Sequence, residues 1–392
     1  MVRLRRPENL GALFGTARSR EAGRTCPTCG SSLRHRRVRP RKSHFVRALL
    51  IAASAAAVAA GGVYEVGQLG DAQPAIASVH PYRWPHGVPR GVVLSGLQSY
   101  VMSPGLIHRM ERQIYAISHY WYGNTVALQV LQDRLVGVNG NVFRTYYMHD
   151  VRELVQYALA QHLVVVISDQ TELSTGYAQD EPLPTMATFA FWRHMMYYYG
   201  SKPRVIFDLF NEPRHCSWQQ WYNDFQPLVN YIRRYGAYNQ LWVEGIRWAS
   251  TLEDMPLLKG SNIVYDFHHA GAPWGWDAPI NPLTWDASFG YLAARGIPVI
   301  DGEFANYVGS YDWGGPRVDN QIARPLMVRY MQYLKHMGIG MLAWTLTPGS
   351  LNGSRHGFWS VSFEPQGDGY LVRHWFARLA GTPIPGPPYW VP

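Results

Sequence analysis

The sequence predicts an α/β protein built as a (β/α)8 barrel, the TIM-barrel architecture, preceded by a basic tail and one transmembrane or signal-anchor helix. Eight short runs rich in β-branched and apolar residues recur through residues 88–380, and amphipathic stretches separate most of them. Strands buried on both faces and joined through helices form a parallel sheet, and eight such units suit a closed barrel better than an open sheet. No G-x-G-x-x-G follows the first run, which weighs against a dinucleotide-binding fold.

The predicted strands begin at Val92 (V-V-L-S-G), Val142 (V-F-R-T-Y-Y), Val164 (V-V-V-I-S) and Val205 (V-I-F-D-L-F). They continue at Leu241 (L-W-V-E-G-I), Ile263 (I-V-Y-D-F-H), Val299 (V-I-D-G-E-F) and Gly340 (G-M-L-A-W-T). Between the second and third, Val151, Leu154, Val155, Ala158 and Leu159 recur at helical spacing on one face. The stretch before the second run, including His119–Gly123, is too long for one helix and is expected to add loops or rim structure.

The chain has 392 residues, enough for one large core, and a net charge of +9. Residues 1–47 hold 13 Lys or Arg against only Glu8 and Glu21, so the rest of the chain sums to −2. The barrel therefore has no compositional case for binding nucleic acid, and the basic balance belongs to a tail. Residues 48–64 carry no charge and follow a dense cluster from Arg34 to Arg47. That pattern predicts a single-pass anchor contacting the lipid membrane, with residues 1–47 cytoplasmic and the large domain outside. Secretion after cleavage near Ala57–Gly61, or a buried soluble helix, are the alternatives. Residues 65–87, with Pro74, Pro81 and Pro85, read as a linker, and 381–392 as a proline-rich finish. Cys26 and Cys29 form a lone C-P-T-C: a zinc site needs about four ligands, so a free or redox-active pair is favoured. Cys216 has no partner in sequence that would mark an acyl-transfer triad, and His215 is expected to line the cleft.

Active sites of such barrels collect at the carboxyl ends of the strands. There the sequence places Gln98, Arg144, Ser168, Asp169, Asn211, Glu212, Arg247, Trp248, His268, His269, Glu303 and Trp344. Strands four and seven face one another across a barrel mouth, so Glu212 and Glu303 can meet there. Two carboxyl groups about 5 Å apart run a double-displacement glycoside hydrolysis, one as nucleophile and one as acid/base. Trp274, Trp276 and Trp313 in the following loops suit an extended saccharide groove.

Four segments carry a resemblance. Phe207–Pro213 (F-D-L-F-N-E-P) resembles the acid/base strand of glycoside hydrolase family 5, the cellulase family of clan A. Val299–Ala305 (V-I-D-G-E-F-A) resembles its nucleophile strand. Gly137–Arg144 (G-V-N-G-N-V-F-R) resembles the approach to strand two, and Leu342–Thr345 (L-A-W-T) resembles strand eight. The resemblance, over about residues 88–380, implies a retaining glycoside hydrolase with Glu212 as acid/base and Glu303 as nucleophile. It also implies Asn211 on the sugar 2-hydroxyl, Arg144 supporting Glu303, and Trp344 under the reacting sugar, with His268 and His269 nearby. No metal or other cofactor is implied, and a monomer acting on a β-linked polysaccharide or oligosaccharide is expected. Two departures stand out: no histidine ends strand three, and Ala270 stands where a tyrosine is usual, for which His269 or Tyr307 could substitute. They keep two alternatives open: an inactive carbohydrate-binding barrel in polysaccharide assembly or export, and a transglycosylase.

Overall fold

The computed structural model describes residues 82–98, 102–171, 181–268, 284–304, 320–344 and 369–385. Eight parallel strands close into a barrel in chain order, each paired with its sequence neighbours and the first with the last. They are β1 (Arg90–Leu94), β2 (Thr125–Leu131), β3 (Val164–Gln170) and β4 (Val205–Asp208), then β5 (Leu241–Glu244), β6 (Ile263–Phe267), β7 (Val299–Phe304) and β8 (Gly340–Trp344). The helices are α1 (Pro104–His119), α2 (Gln132–Val136), α3 (Thr145–Ala160), α4 (Met186–Tyr199), α5 (Trp218–Arg234), α6 (Tyr291–Ala294), α7 (Asn320–Met337) and α8 (Gly369–Leu379).

Local chemistry starts several of these helices. Ser103 accepts the Leu106 N–H ahead of Pro104 in α1, where proline's missing donor costs nothing. Thr185 with Thr188, and Ser217 with Gln220, close reciprocal capping boxes on α4 and α5. Ile107, Met110, Ile114 and Ile117 of α1 lie buried on one face, as do Val151, Leu154, Val155 and Ala158 of α3. Together with the outward strand residues they form the larger core, between barrel and helices. A second core fills the barrel itself: Val93, Ala127, Val166, Ile206, Trp242, Val264, Ile300 and Leu342. Trp84 joins this inner core from the amino-terminal side of the strands, and its indole N–H donates to the Gly338 carbonyl at 2.8 Å.

Seven predicted strands are observed, and the second is corrected. The strand is Thr125–Leu131 (T-V-A-L-Q-V-L), seven residues buried without exception, as a strand with two covered faces must be. The V-F-R-T-Y-Y run, despite its strand-like composition, instead leads into α3, whose amphipathic face packs on the core. Arg144 is the residue before that helix: its backbone N–H donates to Leu135 and its carbonyl accepts Met148 N–H. Among the described residues no helix is long and apolar enough to cross a membrane. Residues 48–64, Cys26 and Cys29 lie outside the described residues.

Candidate active site

At the carboxyl end of β4 the chain turns sharply. Asn211, almost fully buried, donates its backbone N–H to the Asp169 carbonyl of β3 at 2.9 Å. The next residue, Glu212, has φ +52°, a left-handed conformation uncommon for a residue with a side chain. Its N–H donates to Glu244 Oε2 at 2.6 Å, and its carbonyl accepts Arg214 Nη1 at 3.0 Å. Such backbone strain persists only where surrounding contacts over-determine it, and it concentrates at functional sites. Arg247, Trp248 and Ala249 beyond β5 are left-handed too. Trp248 donates its N–H to the Pro213 carbonyl and rests edge-on against His215.

Glu303, near the end of β7, reaches the same point from across the barrel. A donor atom of Glu212, one of His268 and one of Glu303 all lie within 4.8 Å of one another. His268, at the end of β6, stands between the two glutamates. Its Nδ1 is 3.0 Å from Glu212 Oε1 and 3.7 Å from Glu303 Oε2, and its Nε2 is 3.5 Å from Glu244 Oε1. Burial works against a charge on this imidazole. The carboxylates of Glu244, Glu303 and Glu212 outweigh it and hold His268 well above the usual histidine range. Donor atoms of Glu244, Asp266 and His268 are equally close, a spacing a metal ion would also require. Here the imidazolium itself supplies a cation among the carboxylates.

Below these groups the barrel interior is acidic. Burial raises Asp208 to about 6, and it pushes Glu244 and Asp266 well above the usual carboxylate range. Asp266 Oδ1 accepts the Gly302 N–H at 2.8 Å, and a side chain on Gly302 would overlap that carboxylate. A cavity of about 10 Å³, lined in part by Gln129, Ser168, Asp208, Asp266, His268 and Glu303, lies in this layer. A larger cavity of about 540 Å³ opens at the opposite face, beside Trp84, Lys202, Ile206 and Tyr238. It contains none of the converging carboxylates, so the chemistry is assigned to the other end.

The expected support for Glu303 changes identity. Arg144 Nη1 donates to the carbonyls of Asp133 and Arg134, at 2.7 and 3.0 Å, rather than to the Glu303 carboxylate. Gln129 of β2 takes that place, donating to Glu303 Oε1 at 2.5 Å, while its own Oε1 accepts Gln98 Nε2 at 2.8 Å. The displaced strand boundary hid Gln129, and Glu244 was passed over as an interior strand residue. A polar residue within an otherwise apolar run was the available signal for both. Trp344, half-buried at the end of β8, packs on the inner core. Ser168 lines the small cavity from β3, next to Asp208 in register. His269, Ala270, Trp274, Trp276, Tyr307 and Trp313 lie outside the described residues.

Comparison with known proteins bears on the fold and the family. An endoglucanase from Phanerodontia chrysosporium, described as manganese dependent, is 37% identical over 99 residues, 22% of this chain and 26% of that protein. The chain therefore matches about a quarter of that relative's length. A beta-glucanase from Saccharophagus degradans superposes with a TM-score of 0.58 at 19% identity, over 75% of this chain and 88% of that one. An endo-beta-1,4-glucanase from Xanthomonas axonopodis pv. citri gives 0.57 at 16%, over 75% and 99%. At such identities these two establish likeness of fold. The family model for cellulases matches residues 96–350, the greater part of the barrel with both glutamate-bearing strands. With that match, the chain belongs to the cellulase family, glycosyl hydrolase family 5.

Proposed function

We propose that the protein is a retaining glycoside hydrolase that cleaves β-linked glucan. The observation that carries the reading is the approach of Glu212 and Glu303, with carboxylate oxygens within 4.8 Å across His268. Retaining enzymes place the two carboxyl groups about 5–5.5 Å apart, whereas inverting enzymes leave room for a water between them. In the first step Glu303 attacks the anomeric carbon as Glu212 gives its proton to the leaving oxygen. A covalent glycosyl–enzyme forms and the first product departs. In the second, Glu212 takes a proton from water, whose oxygen displaces Glu303 and restores the starting state. Asn211, next to the acid, is assigned to the sugar 2-hydroxyl, and Trp344 to the apolar face of the reacting ring.

Support for a glucan comes from family membership and from the S. degradans beta-glucanase, which has been crystallised with cellotetraose. The test combines reducing-end release from soluble β-glucans with NMR of the first product. Release of β-configured ends, lost in Glu303→Gln and Glu212→Gln, is expected. Initial release of the α anomer, or wild-type turnover by Glu303→Gln, overturns the mechanism.

We also infer display outside the cytoplasmic membrane, supported by the uncharged stretch 48–64 and the arginines before it. External protease digests the barrel in intact cells if this is so; protection from it contradicts the reading.

A further inference from the structure

We propose that Glu244 is a positioning residue of the active site, holding the strained backbone of Glu212 and orienting His268 between the two catalytic glutamates. The inference rests on the retaining-hydrolase reading. The carboxylate of Glu244 is fully buried at the end of β5, and each of its oxygens faces one of these groups. Oε2 accepts the Glu212 N–H at 2.6 Å, and Oε1, which accepts no hydrogen bond, lies at an ion-pair distance of 3.5 Å from His268 Nε2. The other face of the same ring, through Nδ1, meets Glu212 at 3.0 Å and Glu303 at 3.7 Å. Glu244 is itself fixed from behind: its carbonyl accepts the Trp221 indole N–H at 2.8 Å, and β5 pairs with β6 at Glu244–Asp266.

Each contact has a chemical consequence. A non-glycine residue at φ +52° carries a steric cost, and the hydrogen bond that Glu244 Oε2 accepts from its N–H offsets it. That bond fixes the turn that aims the Glu212 side chain. The second contact determines the ring. Burial disfavours the Glu244 carboxylate, but an ionised Glu244 and a doubly protonated His268 favour one another across this contact, which leaves Nδ1 with a proton to share with the glutamate oxygens. Other groups face this cluster: Asp208 from β4 and Asp266 from β6, with Asp301 of β7 acting on Asp266. All are acidic, and none is hydrogen-bonded to Glu212 N–H in place of Glu244.

The test compares Glu244→Gln and Glu244→Ala with wild type in the full chain. In Glu244→Gln the amide oxygen still accepts the Glu212 N–H, while its NH2 group faces Nε2 and favours a neutral ring. Loss of the cation removes a positive charge beside the two glutamates. Both limbs of the kcat/KM pH profile on a soluble β-1,4-glucan are therefore expected to move to higher pH, by about one unit. Glu244→Ala also removes the acceptor, and kcat is expected to fall at least about 10-fold further at every pH.

Imidazole NMR of wild type and Glu244→Gln reports the His268 protonation state without any turnover, so the inference stays testable on an inactive protein. A neutral His268 in Glu244→Gln together with a displaced pH profile supports it. An unchanged His268 signal, or a uniform loss of activity with the profile unmoved, overturns it and reduces Glu244 to a core residue. Absence of wild-type glucan turnover would instead count against the hydrolase reading.

Discussion

Gln129 donates its side-chain amide to Glu303 Oε1 at 2.5 Å, so a neutral residue supports this carboxylate where an arginine was expected. The Gln98 bond to the same amide fixes which end of Gln129 faces the carboxylate. A hydrogen bond to a charged group contributes about 1.5–3 kcal/mol. Gln129→Ala is therefore expected to lower kcat/KM about 10- to 100-fold, and Gln129→Glu further, by like-charge repulsion at the nucleophile. Steady-state kinetics decide it: near-wild-type activity in both variants sinks the assignment.

Arg144 gives the opposite expectation. Its guanidinium ties the Asp133 and Arg134 carbonyls to the start of α3. Arg144→Ala should lower thermal stability by about 1–2 kcal/mol through those lost bonds while leaving kcat within about threefold. A collapse of kcat with Tm unchanged would return the arginine to the nucleophile.

Gly302, immediately before Glu303 in the chain, leaves room for the buried Asp266 carboxylate, which any Cβ there would overlap. Gly302→Ala is expected to destabilise by about 1–3 kcal/mol, because that carboxylate, which accepts the Gly302 N–H, must give way. Differential scanning calorimetry reads the effect, and an unaltered Tm contradicts it.

Asp208 links stability to pH. Burial raises its folded-state carboxyl from 3.8 to about 6, so the folded protein keeps a proton that the unfolded chain releases between those values. Its contribution is full below about pH 4 and lost as pH rises through 6, a change on the order of 3 kcal/mol. Asp208→Asn should flatten that fall and raise Tm at pH 7. Thermal melts from pH 4 to 8 that run parallel in the two proteins refute this.

Much of this was legible beforehand where chemistry and pattern coincide. Seven strands are short apolar runs between helices, and both Glu212 and Glu303 sit on such runs at the ends that a barrel turns toward its mouth. The second strand was not, because β-branched and aromatic residues at 142–147 have strand-like composition, whereas tertiary packing gives α3 that ground. Locating Thr125–Leu131 required weighing seven uninterrupted buried positions over local propensity. Gln129 and Glu244 lay beyond a motif reading for a related reason. Their partners, Glu303 and His268, are 174 and 24 residues away: barrel closure brings β2 to β7 for the first pair, and the pairing of β5 with β6 makes the second.

Trp84 has a consequence at the molecular scale. It closes the inner core from the amino-terminal side of the strands, tied there to the Gly338 carbonyl ahead of β8. Glu212, His268 and Glu303 converge at the other pole. One end of the barrel is thus closed by an apolar ring while the other stays lined with polar groups, so the plug that secures the interior is kept apart from the glutamate cluster.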